Sequence, residues 1–527
     1  QLAAIGINSD YPLNGSYVLT ADLDLSGYEN WSPIGDGNDP FTGIFDGQGH
    51  VISGLTYVGE DTYVGLFGRI NERGQVKNLG LTDVSITVTG GYDDYYVGGI
   101  VGRFENCYME TSRAELRNCY VTGEIAVSLN YGSNLWLGGL AGELAADMSG
   151  CFNLASLSGR IGSTYGKALQ MGGLAGRIQQ SASSNDYVIE KCFNSGELTP
   201  DCLASSLFAG GVVGYLDVDV TLRQCYNTAN VWLDPGYSCG RNAYLGGIAG
   251  FTASDIQECY NLGDVGSEAC NDSPYYEMVC GGIVGQFALA NSEYSCFVEE
   301  CYNAGKVVAR SYGVAYAGGI LGNAEENFRS VYLRNCVALS PEISAYYDEL
   351  GGGGSTGSSG PFEANVLGNG MTSISTYKNY YLSGYDSGGA GLPVGKPSYS
   401  TSIGERYATD GAWYEDTAKW DFDSVWTWSE EENSSLPYFA WVTDGFQILG
   451  YEDGEVELFS RLNGEKLTLC AASYDADGRL LDTAMTAAAP EAGISRVLLP
   501  LAQEGAEVRI FLWRSMNLKP AARALQQ

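Results

Sequence analysis

Between residues 98 and 322 one short phrase is written seven times: two glycines, a bulky aliphatic, a second apolar residue and a third glycine. It begins at Gly98, Gly138, Gly172, Gly210, Gly246, Gly281 and Gly318, so the intervals are 40, 34, 38, 36, 35 and 37 residues. A period of this size implies a repeat architecture, because one such unit cannot bury its own apolar face and must stack on its neighbours. Between the glycine phrases lies a second phrase ending in cysteine, an aromatic and asparagine, as in Ile189 to Asn194 and Val298 to Asn303. A third run follows, often opened by glycine, such as Gly196-Glu197-Leu198. None of these runs carries apolar residues at helical spacing, and three short strands per period predict a parallel β-helix. Its coiling should be right-handed, as crossovers between parallel strands almost always are.

Stacking predicts what the repeated positions do. Asn153, Asn194, Asn227, Asn261 and Asn303 should form a structural ladder in which each side chain bonds to its copies above and below. Cys119, Cys151, Cys192, Cys225, Cys259, Cys301 and Cys336 should form an inert column, since a buried free cysteine packs as a small hydrophobe. The other seven cysteines include Cys202, Cys239, Cys270 and Cys280. Any disulfide is expected among these, with Cys270 and Cys280 as first candidates because they bracket a polar loop. Two residues before the glycine pair stand Tyr96, Trp136, Phe208, Tyr244 and Tyr316, interrupted by Gln170 and Val279. Alternation along a strand puts this position on the face of the following aliphatic, so the rings are expected inside. The loop tyrosines Tyr92, Tyr95, Tyr275, Tyr276, Tyr346 and Tyr347 are expected outside and are the candidate ligand-binding residues.

The opening of the chain carries a resemblance. Tyr17 to Leu25, Trp31-Ser32-Pro33-Ile34-Gly35, Phe41 to Ile52, Val64 to Gly68 and Val76 to Leu81 resemble bacterial GLUG-repeat proteins, and the likeness runs over about residues 11 to 340. That implies an extracellular scaffold of the kind found in adhesins and in the non-catalytic parts of immunoglobulin A metallopeptidases. Gln1 to Ile5 looks like the tail of a preceding helix, so a longer precursor is expected. Beyond 340 a Gly/Ser run from Gly351 to Gly360 and an aromatic segment around Trp420 and Trp426 should close the array, with the tryptophans as cap core. From about Phe446 strand-like runs joined by turns predict a β-sandwich, and Val508 to Pro520 resembles terminal immunoglobulin-like modules of surface proteins. The expected organisation is 1–345 as β-helix, 346–443 as insertion and closing region, and 444–527 as sandwich.

Sixty-three acidic residues against 28 basic ones give a net charge of −35, which repels phosphate backbones and anionic lipid; nucleic acid is not an expected partner. No apolar stretch approaches the roughly 20 residues of a membrane span. With one histidine, His50, a zinc-protease motif is absent and a charge-relay triad is disfavoured. Acid pairs such as Asp22 with Asp24, Asp93 with Asp94, and Asp217 with Asp219 keep carboxylate chemistry open, but no acid cluster repeats in register. No cofactor is implied, and the acidity is compatible with weak calcium binding. The expectation is a secreted or surface-exposed, non-catalytic adhesin that recognises a host or environmental glycan or protein. The alternatives are a carbohydrate-active enzyme on the same scaffold and a passive stalk.

Overall fold

The computed structural model divides the chain into two compact units, Gln1–Gly404 and Glu405–Gln527. The structure describes residues 1–71, 73–105, 114–130, 132–162, 166–179, 187–202, 206–233, 242–267, 277–288, 296–311, 313–324, 331–347, 361–364, 366–370, 374–382, 400–428, 435–439, 446–452, 454–460, 467–475, 479–490, 493–501, 507–514 and 525–526.

The first unit is a parallel β-helix with three faces. The strand before each glycine pair, such as Leu135–Gly138 and Ala168–Gly172, builds a nine-stranded first face. The strand after it, such as Ala141–Leu144 and Ala175–Ile178, builds a nine-stranded second face. Like lies over like: Gly138 pairs with Gly172, Gly172 with Gly210, and Gly210 with Gly246. The third face carries the cysteine phrase and, from Asp147 on, is broken into short strands at the cysteine and again after the asparagine. At the first break the residue before the cysteine has positive φ, between 52° and 56° at Asn118, Lys191, Gln224, Glu258 and Glu300 and 63° at Gly150. This left-handed turn costs a non-glycine residue about 1 kcal/mol or more, and it swings the cysteine and the asparagine two residues later into the coil interior.

Both predicted columns are present. Asn153 Nδ2 donates to Asn194 Oδ1 at 2.9 Å, and the chain continues through Asn227, Asn261 and Asn303 to Ser340 Oγ. Each amide also closes a local ring, donating to the carbonyl and accepting from the N–H two residues on, as Asn194 does with Gly196. The asparagines are fully buried yet satisfied, which is the condition for keeping a polar group in a core. The seven cysteines are buried and free. Their thiols donate to the carbonyl two residues back, 3.1 Å for Cys192 to Glu190 and 3.2 Å for Cys301 to Glu299. Burial pushes the thiols of Cys192, Cys301 and Cys336 well up.

Two expectations need correction. Cys280 is free and buried, a core residue of the strand Glu277–Gly281 in register with Leu245 and Ala317; it is not a disulfide partner, and Cys270 lies outside the described residues, as does the Gly/Ser run. The coil also does not stop at 345. Pro361–Ala364 and Leu367–Gly370 add a further strand to the first and second faces, and Asn379–Leu382 pairs onward with Ser400–Ile403. The array therefore continues to Ile403, and Asn379 takes the place a cysteine holds in earlier coils, donating to Leu333 O at 2.8 Å.

In the second unit Trp426 lies 4.6 Å from Trp420 and 4.7 Å from Phe439, all buried, so these tryptophans are core as expected. The C-terminal part is a β-sandwich of antiparallel strands. One sheet holds Phe446–Glu452, Glu455–Ser460 and Gly493–Leu498; the other holds Leu467–Tyr474, Leu480–Ala488, Glu507–Arg514 and Leu525–Gln526. Val456 and Leu458 from the first sheet share a core with Leu467, Leu469, Ile510 and Leu512 from the second.

Replacing Asn227 by Leu strips partners from Asn194, Asn261 and the 229 backbone at once, and is expected to cost about 3 kcal/mol, since each buried group left unpaired costs about 1–3 kcal/mol; a denaturation midpoint measures it. The cysteine column should resist iodoacetamide in the native protein and react only after unfolding, as read by peptide mass mapping.

Candidate ligand groove

The glycine phrase marks a corner, and its direction decides where a ligand can sit. A Cβ on Gly98 would lie 2.6 Å from the carbonyl oxygens of Leu140 and Val101, and one on Gly102 would lie 2.6 Å from Val64 N and 2.8 Å from Tyr96 O. The first and third glycines thus press the outer surfaces of the two faces together, backbone against backbone. The second glycine points inward instead: on Gly173, Gly211 and Gly247 a Cβ would run into Asn194, Asn227 and Asn261. Outer surfaces that meet rather than diverge define a re-entrant corner. It forms a groove running along the axis, repeated at every coil with a step of about 4.8 Å.

Two ladders of side chains line this groove. On the first face stand Tyr63, Tyr96, Trp136, Gln170, Phe208 and Tyr244, in register from strand to strand. Tyr96 and Trp136 stack at 4.4 Å with an 8° tilt, and Phe208 and Tyr244 at 5.1 Å. On the second face stand Arg69, Arg103, Glu143, Arg177, Tyr215, Phe251, Gln286 and Asn323. The ladders touch across the corner: the Arg103 guanidinium lies 4.7 Å from the Tyr96 ring centre, and Phe208 meets Tyr215 edge-on at 5.5 Å. The expectation that the rings lie inside is overturned. Tyr95, Val97, Leu135 and Leu137 belong to the interior cluster, whereas Tyr96 and Trp136, though covered to 9% and 8% exposure, pack outside it. The glycine bend interrupts the alternation, so residues on its two sides cannot be counted as one continuous strand.

Charge in the groove is internally paired. Arg69 bonds Glu105; Arg103 bonds Glu105 at 2.6 Å and Glu143 at 2.7 Å; Arg177 lies 3.7 Å from Glu143 and 2.9 Å from Asp217. Glu143 is almost wholly buried, so this chain of alternating charges shields it. Burial opposes the charge on Arg103, but Glu143 beside it outweighs that and raises the guanidinium pKa. Burial pushes the Tyr96 phenol up to about 12. Several polar atoms packed beneath the corner side chains, shielded from solvent, have no hydrogen-bond partner among the described residues: Trp136 Nε1, Gln170 Oε1, Arg177 Nε and Gln286 Nε2.

The individually predicted residues fare differently. Tyr92 is 80% exposed and Tyr346 47% exposed, as expected. Tyr95 is 2% exposed and is corrected to a core residue, in register with Leu135, its hydroxyl accepting from Gly91 N at 3.2 Å. Tyr275, Tyr276 and the Tyr347 side chain lie outside the described residues. The structure does not gather Tyr92 and Tyr346 into the groove ladders. His50 Nδ1 sits 3.0 Å from Asp22, whose carboxylate also accepts from Val51 N. Asp24 caps its own turn through Ser26 N, and Asp94 is bound by Asn134 and Lys167. A second ring column, Tyr120, Phe152, Phe193, Tyr226, Tyr260 and Tyr302, stacks at 4.7–5.0 Å. From Phe193 to Tyr302 it is buried, so it offers no open platform. Among the described residues no cluster of three or more His, Cys, Asp or Glu side chains is arranged to hold a metal.

No protein-family model matches the chain. It is 38% identical over 148 residues to halomucin of Haloquadratum walsbyi, a match covering 26% of this chain and 1% of that protein. It is 42% identical over 80 residues to a "Putative Gly-rich membrane protein" of Evansella cellulosilytica, covering 14% of this chain and 9% of that one. The chain therefore spans only a small fraction of the curated relatives it matches. A solved structure described as a "putative immunoglobulin A1 protease from Bacteroides ovatus" aligns over 81% of this chain and 86% of its own, at 17% identity and a TM-score of 0.32. No helix among the described residues is long and apolar enough to cross a membrane.

Arg103→Met leaves Glu143 with only the more distant Arg177. It is expected to cost about 2–3 kcal/mol, below the 3–5 kcal/mol typical of a fully orphaned buried charge. Adding Glu143→Gln should recover most of that loss, and a double-mutant cycle by denaturant unfolding measures the coupling.

Proposed function

We propose that this chain is a surface-associated, non-catalytic binding scaffold and that the corner groove is where it holds its ligand, a host or environmental glycan or protein. The carrying observation is the groove itself. It combines rings and paired charges at the same place in successive coils, outside a core that needs neither. The excess of acid suits a protein exposed to solvent outside the cell, and the partial likeness to halomucin and to a Gly-rich membrane protein supports surface association. The GLUG-type phrases and the C-terminal sandwich, read as an immunoglobulin-like module, fit an adhesin assembled from such parts.

One observation favours a second reading, a carbohydrate-active enzyme: Glu105, Glu143 and Asp217 line the same groove from nearby coils. General acid–base catalysis by a carboxyl pair needs one member protonated near the working pH. All three carboxylates are already engaged by the arginines of the same corner, which is why binding is preferred.

Beads carrying the full chain, tested on mucin-, gelatin- and polysaccharide-coated surfaces, should be retained by at least one of them. Retention should fall at least tenfold for Gln170→Ala/Phe208→Ala, with the melting temperature checked in parallel. Retention by none, or equal retention of the variant, supports a stalk, and release of reducing ends from any polysaccharide supports an enzyme.

A further inference from the structure

We infer that the C-terminal sandwich joins two copies of this chain edge to edge, through the strand Leu480–Ala488. The inference concerns the sandwich alone and does not depend on what the corner groove binds.

The two flanks of the sandwich are unequal. Leu480–Ala488 stands at the edge of the four-stranded sheet and Gly493–Leu498 at the edge of the three-stranded one. Only residues 489–492 separate these strands in the chain, so both edges lie on one flank. On the other flank Phe446–Glu452 approaches Glu507–Arg514 and Leu525–Gln526. Among the described residues, the sandwich leaves four large apolar side chains exposed: Leu480, Leu481, Met485 at 64%, and Leu498. All four belong to the two edge strands of the first flank. The fold has no need of them there, because Ala484, Ala488 and Val497 already serve the core from the same strands.

The edge is also unguarded. An open strand edge offers its N–H and C=O groups to another chain, and proteins usually blunt it with a lysine, a proline or a bulge. From Asp482 to Ala488 this strand has none of the three. Its register with Leu467–Ser473 is continuous, and the one irregularity comes before that run, where the pairing shifts between Ser473 and Tyr474. Among the described strands it pairs with Leu467–Tyr474 alone.

Charge and symmetry select the partner. The chain carries −35, so two copies repel each other over most of their surface. Residues 483–488 hold no charge, and on the neighbouring edge strand Arg496 is bonded to Glu457 at 3.2 Å. This is where a second copy can come close. A two-fold axis perpendicular to the sheet sets Leu480–Ala488 antiparallel to itself, with Thr483, Met485 and Ala487 of both copies on one outer face. The same axis turns the two Gly493–Leu498 edges toward each other, so Leu498 is covered as well. An extended segment of a foreign protein would add to one sheet only and leave Leu498 in solvent.

The test is sedimentation velocity of the full chain over a wide range of concentration. It should show a monomer–dimer equilibrium that about 0.5 M salt strengthens, because screening removes repulsion between two acidic chains. Met485→Lys opposes two cations on the outer face of the joined sheet and should weaken the dimer at least about tenfold with an unchanged melting temperature. Val58→Lys, at an exposed apolar position of the β-helix, should leave the dimer as it was. Single cysteines at 483, 485 and 487 locate the axis: on oxidation the one nearest to it should cross-link two chains, above the level of the parent chain. A monomer at every concentration and salt, a dimer that Met485→Lys leaves intact, or equal cross-linking at all three positions overturns the inference. So does growth beyond the dimer, which a closed two-fold pairing forbids.

Discussion

The structure depends on one contact, the meeting of two β-faces backbone to backbone at the glycine corner. A parallel β-helix needs like residues stacked on like, but stacking alone does not say which way a coil must bend. Here the bend is inward because Gly98 and Gly102 leave no Cβ between the faces, and each coil repeats the arrangement. The second glycine completes the corner from inside by making room for the asparagine column. A motif that in sequence is a run of small residues is in three dimensions two separate close approaches, one on each side of the sheet.

Once the corner folds inward, the rest of the exterior follows. Residues two positions before the first glycine and one after the third cannot diverge into solvent and instead form paired ladders. Those ladders solve a packing problem in the manner of a core, by ring stacking and charge pairing, while keeping an open rim. Tyr96 with Arg103, and Phe208 with Tyr215, are local versions of one arrangement. The interior is simpler. Aliphatics fill it, the cysteines add small apolar volume, and the asparagines supply a continuous line of amide bonds that fixes the stagger of the coils.

Much of the fold was legible in the residues. The glycine, cysteine and asparagine periods predict stacked coils, and the asparagine ladder and the cysteine column lie where the repeat puts them. The site was less so. Alternation is a rule within one strand, and counting it through Gly98 and Gly99 placed Tyr96 inside, while Tyr95, read as a loop residue, was placed outside; the core takes Tyr95, and Tyr96 packs on the other side of the strand. A signal was available: five aromatics at one repeat position, beside arginines and acids seven residues further on in three coils, is a pattern a core would not need. Which of two equal-looking faces turns outward is decided by a close approach between distant backbones, and that contact has no signature in a local window. The cysteine pairing failed for a related reason, since Cys280 sits at an aliphatic position of its strand rather than in the polar loop that precedes it.

The intervals between glycine phrases vary from 34 to 40 residues, yet the strand pairings stay in register. The variation falls largely in the joints, notably between the second and third faces, where ten residues separate Phe104 from Glu115, two separate Leu144 from Asp147 and eight separate Ile178 from Tyr187. A ruler with uneven markings in sequence is thus evenly graduated in space. Lineages of this chain are free to lengthen, shorten or rewrite those joints without displacing a single graduation, so novelty at the joints and constancy along the seam can evolve independently.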